Sequence, residues 1–281
     1  MSSKSISKSK NGINNICLFL ISVVIFILYI FPFFLVLVNS FKERLEVVKN
    51  PIKLPSNFSF KNFIEAYETM NYGQAVINSI LITALSVSVI LLFSSMLAYY
   101  LVRWESKLSK FILLPMIASM IIPFQSLMIP FVTIFGKLNL LNSRGILIFF
   151  YLGFGVSLAT FMYHGYIKNI PAELEEAAII DGASRIQVFF KVVFPMLTPI
   201  TTTIAILDVL WVWNDFLLPS LVLVKDGVRT LPLSTFYFFG KYTANYNTAM
   251  AALVLSLIPI LIFYFTMQKK IISGVMDGAI K

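Results

Sequence analysis

An all-α polytopic membrane protein with six transmembrane helices is the fold class that this sequence predicts. Composition is the first indication: 58% of the 281 residues are hydrophobic and 12% are charged, against roughly 45–50% and 25% in soluble domains. So few polar residues cannot clothe so much apolar mass in water, and the mean hydropathy is +0.86. The second is length. Six stretches reach the ~20 apolar residues that a helix needs to cross a ~30 Å hydrocarbon core. The third is the absence of any internal repeat or polar stretch long enough for a separate water-soluble domain. The formal charge of +9 would suggest nucleic acid in a soluble protein, but in a membrane protein it first suggests cytoplasmic anchoring.

The expected spans run in order over residues 16–37, 76–101, 111–135, 146–166, 199–221 and 250–267. The first follows a polar leader over 1–15 bearing Lys4, Lys8 and Lys10. It is longer than the ~7–15-residue apolar core of a secretory signal and has no small-residue cleavage site, so it reads as a retained span. Residues 16–281 then form one six-span domain. The third span contains Pro115, Pro123 and Pro130. Each proline frees a carbonyl that neighbouring helices or water must satisfy, so this span is expected to be kinked and packed inside a bundle. With both termini inside, twelve Lys/Arg fall on the inner side (Lys4, Lys8, Lys10, Arg103, Lys107, Lys110, Lys168, Arg185, Lys191, Lys269, Lys270, Lys281) and ten on the outer. The short basic 102–110 connection and Lys269-Lys270 favour this N-in, C-in orientation.

Several chemistries are excluded. A single cysteine, Cys17, permits no internal disulfide, and a single histidine, His164, permits no poly-His metal centre. There is no phosphate-binding G-x-x-x-x-G-K-[ST] loop. Gly136-Lys137 and Gly240-Lys241 lack the upstream glycine and are followed by Leu138 and Tyr242.

The connection over 168–198 carries the most information. Pro171 suits a helix start, where its missing N–H costs nothing. Glu173, Glu175 and Glu176 fall in the first turns, where the helix dipole favours acids. Asp181-Gly182 breaks the helix, because glycine reaches the left-handed conformation. Ser184 with Gln187 is a capping box for a second helix running to Pro195. Two short helices about a glycine turn, with the small residues Ala177, Ala178 and Ala183, suit insertion into a partner's groove; an amphipathic hairpin lying on the bilayer is the alternative.

The segment resembles the E-A-A-x-x-x-G-x9-[apolar]-x-[apolar]-P signature of ABC-importer permease subunits. Glu176-Ala177-Ala178, Gly182, Val192, Phe194 and Pro195 take the signature places. The extended form from Ile170-Pro171 to Ala183-Ser184 is similar to the carbohydrate-uptake branch, which includes the smaller permease of the maltose importer. Further agreement lies in Asn78-Ser79, Met128-Ile129-Pro130, Trp213-Asn214-Asp215-Phe216, Thr230-Leu231-Pro232 and the tail Gln268-Lys269-Lys270 … Gly274 … Asp277-Gly278-Ala279-Ile280-Lys281. The resemblance covers residues 75–281 well, and the N-terminal third by hydropathy only.

The resemblance implies a type I importer transmembrane domain whose 168–198 loop is a coupling helix seated in a cytoplasmic ATPase. Glu176, Ala177, Ala178, Asp181, Gly182, Ala183 and Pro195 would serve that coupling, with Glu176 meeting basic groups of the ATPase. It implies a second, non-identical permease, two ATPase subunits binding ATP and Mg, and an extracytoplasmic solute-binding protein. The chain itself would be non-catalytic and hold no cofactor, metal or nucleic acid, and its place would be the bacterial cytoplasmic membrane.

Charges inside spans are functional candidates. Asp208 and Asp215 lie seven apart, which places them on one face of a continuous helix, with Trp211 between them and Asn214 beside. Aromatic faces with Asn and Asp side chains suit a sugar; Gln125 and Asn78 are further candidates for substrate contact. A proton-coupled secondary transporter using Asp208 and Asp215, an importer for a non-sugar solute such as glycerol phosphate, and a membrane scaffold are the competing classes.

Overall fold

A computed structural model of the chain describes residues 3–236, 238 and 245–279, with side chains for 15–236, 238 and 245–269. Gly240, Lys241, Tyr242, Ile280 and Lys281 lie outside the described residues, as do the side chains of Lys4, Lys8, Lys10, Lys270 and Asp277. The helices are α1 (Ser3–Asn39), α2 (Arg44–Lys49), α3 (Lys61–Thr69), α4 (Tyr72–Arg103), α5 (Lys107–Ser119), α6 (Met128–Lys137), α7 (Arg144–Ile167), α8 (Glu173–Ile180), α9 (Arg185–Met196), α10 (Thr198–Asn214), α11 (Leu217–Val222), α12 (Leu231–Phe236) and α13 (Tyr246–Ala279). No strand occurs among the described residues.

Four helical stretches are long and apolar enough to cross a bilayer alone: Asn15–Ser40, Tyr72–Arg103, Arg144–Ile167 and Tyr246–Lys269. The pair α9 and α10, bent by 75°, adds a fifth if counted as one span. The kink expected in the third span over 111–135 is a full break. Helix α5 ends at Ser119, and a 3-10 turn at Phe124–Ser126 separates it from α6. Pro123, extended at φ −68° and ψ 133°, marks the break, and its ring disfavours the α region for Ile122 ahead of it. The fifth expected span, 199–221, is likewise split at Asp215-Phe216 between α10 and α11. The leader expected over 1–15 runs directly into α1, which is helical from Ser3.

The chain divides into two compact units. One comprises Met1–Thr69 and Tyr237–Leu257. Most apolar side chains of α1 from Ile16 to Leu37 are exposed, far more apolar surface than a soluble monomer tolerates. The loop that follows is internally built. Lys42, fully buried, donates to Asn39 Oδ1 (2.9 Å) and to the carbonyls of Asn50 (2.9 Å) and Pro51 (3.2 Å). Asn62 donates to the carbonyls of Ser40 and Lys42 and accepts from Asn247, each at 2.8 Å. Phe41 packs on Phe58, Phe60 and Phe63. The Ser56 backbone N–H and hydroxyl both donate to Glu46 at 2.8 Å, and the N–H foremost holds that carboxyl below its usual range. This contribution is present above the ordinary carboxylate pKa and is lost as the pH falls through the lowered folded value.

The other unit comprises Met70–Phe236 and Ile258–Lys281. Its centre is the packing of α4 on α7. Ser86, Ser94, Ser95 and Ala98 of α4, with Gly155, Ala159 and Thr160 of α7, are buried, and small residues of this kind let helix backbones approach closely in a membrane. A Cβ on Gly155 would stand 2.7 Å from Ile90 Cδ1 and 3.2 Å from Trp211 Cζ3. One apolar cluster gathers Ile90, Tyr163, Ile167, Val188, Val193 and Leu197; another gathers Ile82, Phe131, Leu147, Phe150, Tyr151 and Val212.

Replacing Gly155 by leucine is expected to cost about 1–3 kcal/mol by overpacking, whereas Gly155→Ala, which asks the Ile90 side chain to shift and the Trp211 ring to give by a few tenths of an ångström, costs less. Thermal unfolding in detergent compares the two; equal midpoints would contradict this packing.

Candidate functional site

The 168–198 segment is a helix, turn and helix whose ends are set by local chemistry. Glu173, Glu175 and Glu176 fall in the first turn of α8. Gly182, at φ +88°, closes that helix. Its N–H donates to the Ile179 carbonyl and that of Ala183 to the Ala178 carbonyl, both 3.0 Å, the paired bonds of a Schellman ending. The capping box is present in both directions: Ser184 N–H donates to Gln187 Oε1 (2.8 Å) and Gln187 N–H to Ser184 Oγ (3.4 Å). Pro195 supplies no N–H to the turn ahead of it, and residues 189–193 are wound as a π-helix. The chain then bends by 75° into α10, which carries Pro199 in its first turn.

This pair of helices has two unlike faces. Val188, Phe189 and Val193 are buried in the cluster around Tyr163, and Ala178 and Ala183 pack against it. Leu174, Ile179, Ile180, Ile186 and Phe190 are exposed, Ile180 by 85% and Ile186 by 71%. Glu176, Ala177, Asp181 and Gly182 lie with them on the open side.

Glu175, which the sequence reading did not single out, is the acid that turns inward. It is 6% exposed. Arg103 Nε donates to its Oε1 at 2.7 Å and Tyr99 Oη donates to its Oε2 at 2.7 Å. Arg103 also donates to the Ile170 carbonyl at 2.9 Å. Beside this knot, the Arg185 guanidinium lies 4.9 Å from the Trp104 ring centroid, a cation–π contact. The end of α4 therefore holds both α8 and α9. The sequence offered three glutamates and a basic helix end, but nothing to say which glutamate faces Arg103, 72 residues away.

The intramembrane candidates are not brought to one place. The shared helical face expected for Asp208 and Asp215 is corrected, because α10 ends at Asn214 and Asp215 is extended at ψ 129°. Asp215 instead accepts from the Leu217 N–H and from Tyr151 Oη, both at 2.9 Å, and so starts α11. Trp211 meets the same Tyr151 edge-on at 5.5 Å between centroids. Tyr151, absent from the sequence reading, thus joins Trp211 to Asp215, and the exposed Asn214 is the residue just before Asp215. Asp208 is buried, and its Oδ2 has no hydrogen-bond partner among the described residues. Gln125 is exposed on the 3-10 turn. Asn78 is fully buried. It donates to the Gly227 and Arg229 carbonyls (2.9 Å each) and accepts from Gln74 (3.0 Å) and Arg144 (2.8 Å). All four hydrogen-bonding places of its amide are taken within the chain, which leaves none for a substrate and corrects the sequence expectation for this residue.

Residues 90–276 match the family described as binding-protein-dependent transport system inner membrane component. The chain is 46% identical to a probable starch degradation products transport system permease protein (AmyC) of Thermoanaerobacterium thermosulfurigenes, over 93% of this chain and 95% of that one. It is 35% identical to the melibiose/raffinose/stachyose import permease protein (MelC) of Bacillus subtilis, over 93% and 95% of the two chains. In three dimensions it is similar to a chain of a bacterial ABC transporter involved in the import of the acidic polysaccharide alginate, with a TM-score of 0.76 over 94% of this chain and 97% of that one, at 22% identity.

Arg103→Leu leaves the inward Glu175 carboxylate without its cation, a loss on the order of 3 kcal/mol for a buried pair. Glu175→Gln keeps the Tyr99 hydrogen bond and is expected to cost less. Thermal unfolding of the two variants in detergent tests the order, and a milder Arg103→Leu would contradict the inward placement of Glu175.

Proposed function

The chain belongs to the binding-protein-dependent transport system inner membrane component family, and from that premise we propose that it serves an ATP-driven importer of oligosaccharides, moving them by alternating access. It is a non-catalytic permease subunit of a sugar ABC importer and a multi-pass protein of the bacterial cytoplasmic membrane. In the proposed arrangement the chain crosses six times with both termini inside; α5 with α6 is a broken third span and α10 with α11 a broken fifth. A second, non-identical permease lies alongside, two cytoplasmic ATPase subunits bind ATP and Mg, and an extracytoplasmic binding protein delivers the sugar.

The observation that carries the coupling role is the two-faced helix pair over 173–196. One face is pinned by Glu175 to Arg103 and Tyr99. The other offers exposed isoleucines together with Glu176 and Ala177. A helix that merely rested on lipid would need no ionic tether from behind, whereas a lever must be firmly attached to the part it moves. ATP-driven closure of the ATPases would pull on the open face, and the pinned face would pass the pull to the spans. The left-handed Gly182 fixes the angle between α8 and α9.

For the solute, support comes from the relatives that serve starch degradation products and the melibiose, raffinose and stachyose group. An α-linked oligosaccharide is the class we propose. The exposed Trp211 supplies an aromatic face, held edge-on by the buried Tyr151, and Asn214 and Asp215 supply groups that pair with hydroxyls. Asp208 stands about two turns earlier on α10.

Gly182→Asp imposes a Cβ on a left-handed residue, a strain of about 1–2 kcal/mol, without touching any neighbour within 4 Å. The variant is expected to insert and assemble, while uptake and solute-stimulated ATP hydrolysis fall to background in proteoliposomes; normal stimulated hydrolysis would refute the coupling role. Calorimetry of the partner binding protein against a panel of sugars is expected to show heat with maltotriose-like or raffinose-like oligosaccharides. Binding of glycerol phosphate alone would overturn the sugar class.

A further inference from the structure

Helix α4 is fastened at both ends to loops, and the two fastenings are unusually complete. At one end Tyr99 and Arg103 hold Glu175 and the Ile170 carbonyl. At the other, Asn78 donates to the carbonyls of Gly227 and Arg229, and Ser79 Oγ accepts the Leu231 N–H at 2.8 Å. The same Asn78 receives Arg144, the first residue of α7. Asn142 adds a second clasp on that loop, accepting the N–H groups of Val224 (2.8 Å) and Lys225 (2.9 Å).

The helix between these points is suited to carry force. The twenty-five rises from Asn78 to Arg103, at 1.5 Å each, span about 37 Å, more than a hydrocarbon core of about 30 Å. Kinks in helices arise at proline and at glycine pairs. Among the four long spans, α1 carries Pro32 and α13 carries Pro259, and α7 carries Gly145, Gly153, Gly155 and Gly165. Helix α4 has no proline, and its one glycine, Gly73, lies in its first turn.

We propose that α4 is a strut that transmits movement of the 168–198 loop to the 224–231 segment at its far end. Glu175, Arg103 and Tyr99 are the positioning residues at the driven end, and Asn78 is the positioning residue at the responding end. The proposal rests on the importer reading and adds a route: the segment facing the outer solution changes its state when the ATPases bind nucleotide on the inner side, through one helix and two named fastenings. It also assigns Asn78, whose amide has no capacity left for a ligand, a role in coupling rather than in holding sugar.

The test uses the assembled importer in proteoliposomes, with Cys17→Ser removing the native thiol and Lys225→Cys placing a reporter on the exposed loop. A membrane-impermeant maleimide reports the accessibility of that thiol with and without MgATP. With the fastenings intact, MgATP is expected to change the labelling rate roughly fivefold or more, the lower range of coupling between distant sites. Glu175→Leu and Asn78→Asp, which remove the fastening at opposite ends while nearly keeping side-chain volume, are each expected to abolish the change. The exchanged pair Glu175→Arg with Arg103→Glu is expected to restore part of it, which a purely structural defect would not. A nucleotide response that persists in Glu175→Leu, or an assembled, ATP-hydrolysing exchanged pair with no recovery, would overturn the strut. A complex that assembles but never turns over ATP would overturn the importer reading itself.

Discussion

Hydrocarbon offers no hydrogen bonds, so a polar group within a membrane-spanning chain must find its partner in the protein. That constraint decides where the scarce polar side chains of this protein go. Asn78 closes all four places of its amide on Gln74, Arg144 and two backbone carbonyls. Asp215 satisfies the start of α11 and takes the Tyr151 hydroxyl. Outside the spans, Glu175 is buried at the end of α4 and is matched by Arg103 and Tyr99. Asp208 Oδ2 is the exception among the buried carboxylate oxygens described, which keeps it a functional candidate on physical grounds.

The same economy separates anchoring from docking. In the 168–198 segment the inward acid, Glu175, is held by α4 and lies beside the buried Val188, Phe189 and Val193, while the open face mixes isoleucines with Glu176, Asp181, Gln187 and Lys191. An arrangement of this kind fits a partner by shape and holds the body of the protein by charge-assisted hydrogen bonds, which are the stronger and more directional contacts. Under the proposed coupling, movement imposed on the open face would reach α4 through Glu175 and α10 through the continuing chain. The close packing of α4 on α7 through Gly155 then determines which parts of the unit move with it.

What was legible in the sequence was what depends on neighbours a few residues away. The Gly182 turn and the Ser184–Gln187 capping box are written within one turn of helix, and both are present. The apolar stretches were legible as membrane helices because hydropathy adds up over about 20 residues. The prolines of the third span were legible as a kink but not as a full break, since how the freed carbonyls are satisfied depends on neighbours that are set by the fold. The common face for Asp208 and Asp215 failed because seven-residue spacing has meaning only on an unbroken helix. The inward role of Glu175 was missed and Asn78 was misjudged for a related reason: their partners lie 72 and up to 151 residues away in sequence, and only the packing of α4 brings them together.

The central claim is that the open face of the 173–196 helix pair is seated in a cytoplasmic ATPase. A photoreactive side chain at Ile180, which is 85% exposed, tests it most directly in membranes that contain the whole importer. The account predicts a single major adduct between this chain and the ATPase subunit, lost when the same group is placed at Lys225 on the opposite end of the unit. Adducts from position 180 to lipid alone, with none to the ATPase in a complex that hydrolyses ATP, would contradict it.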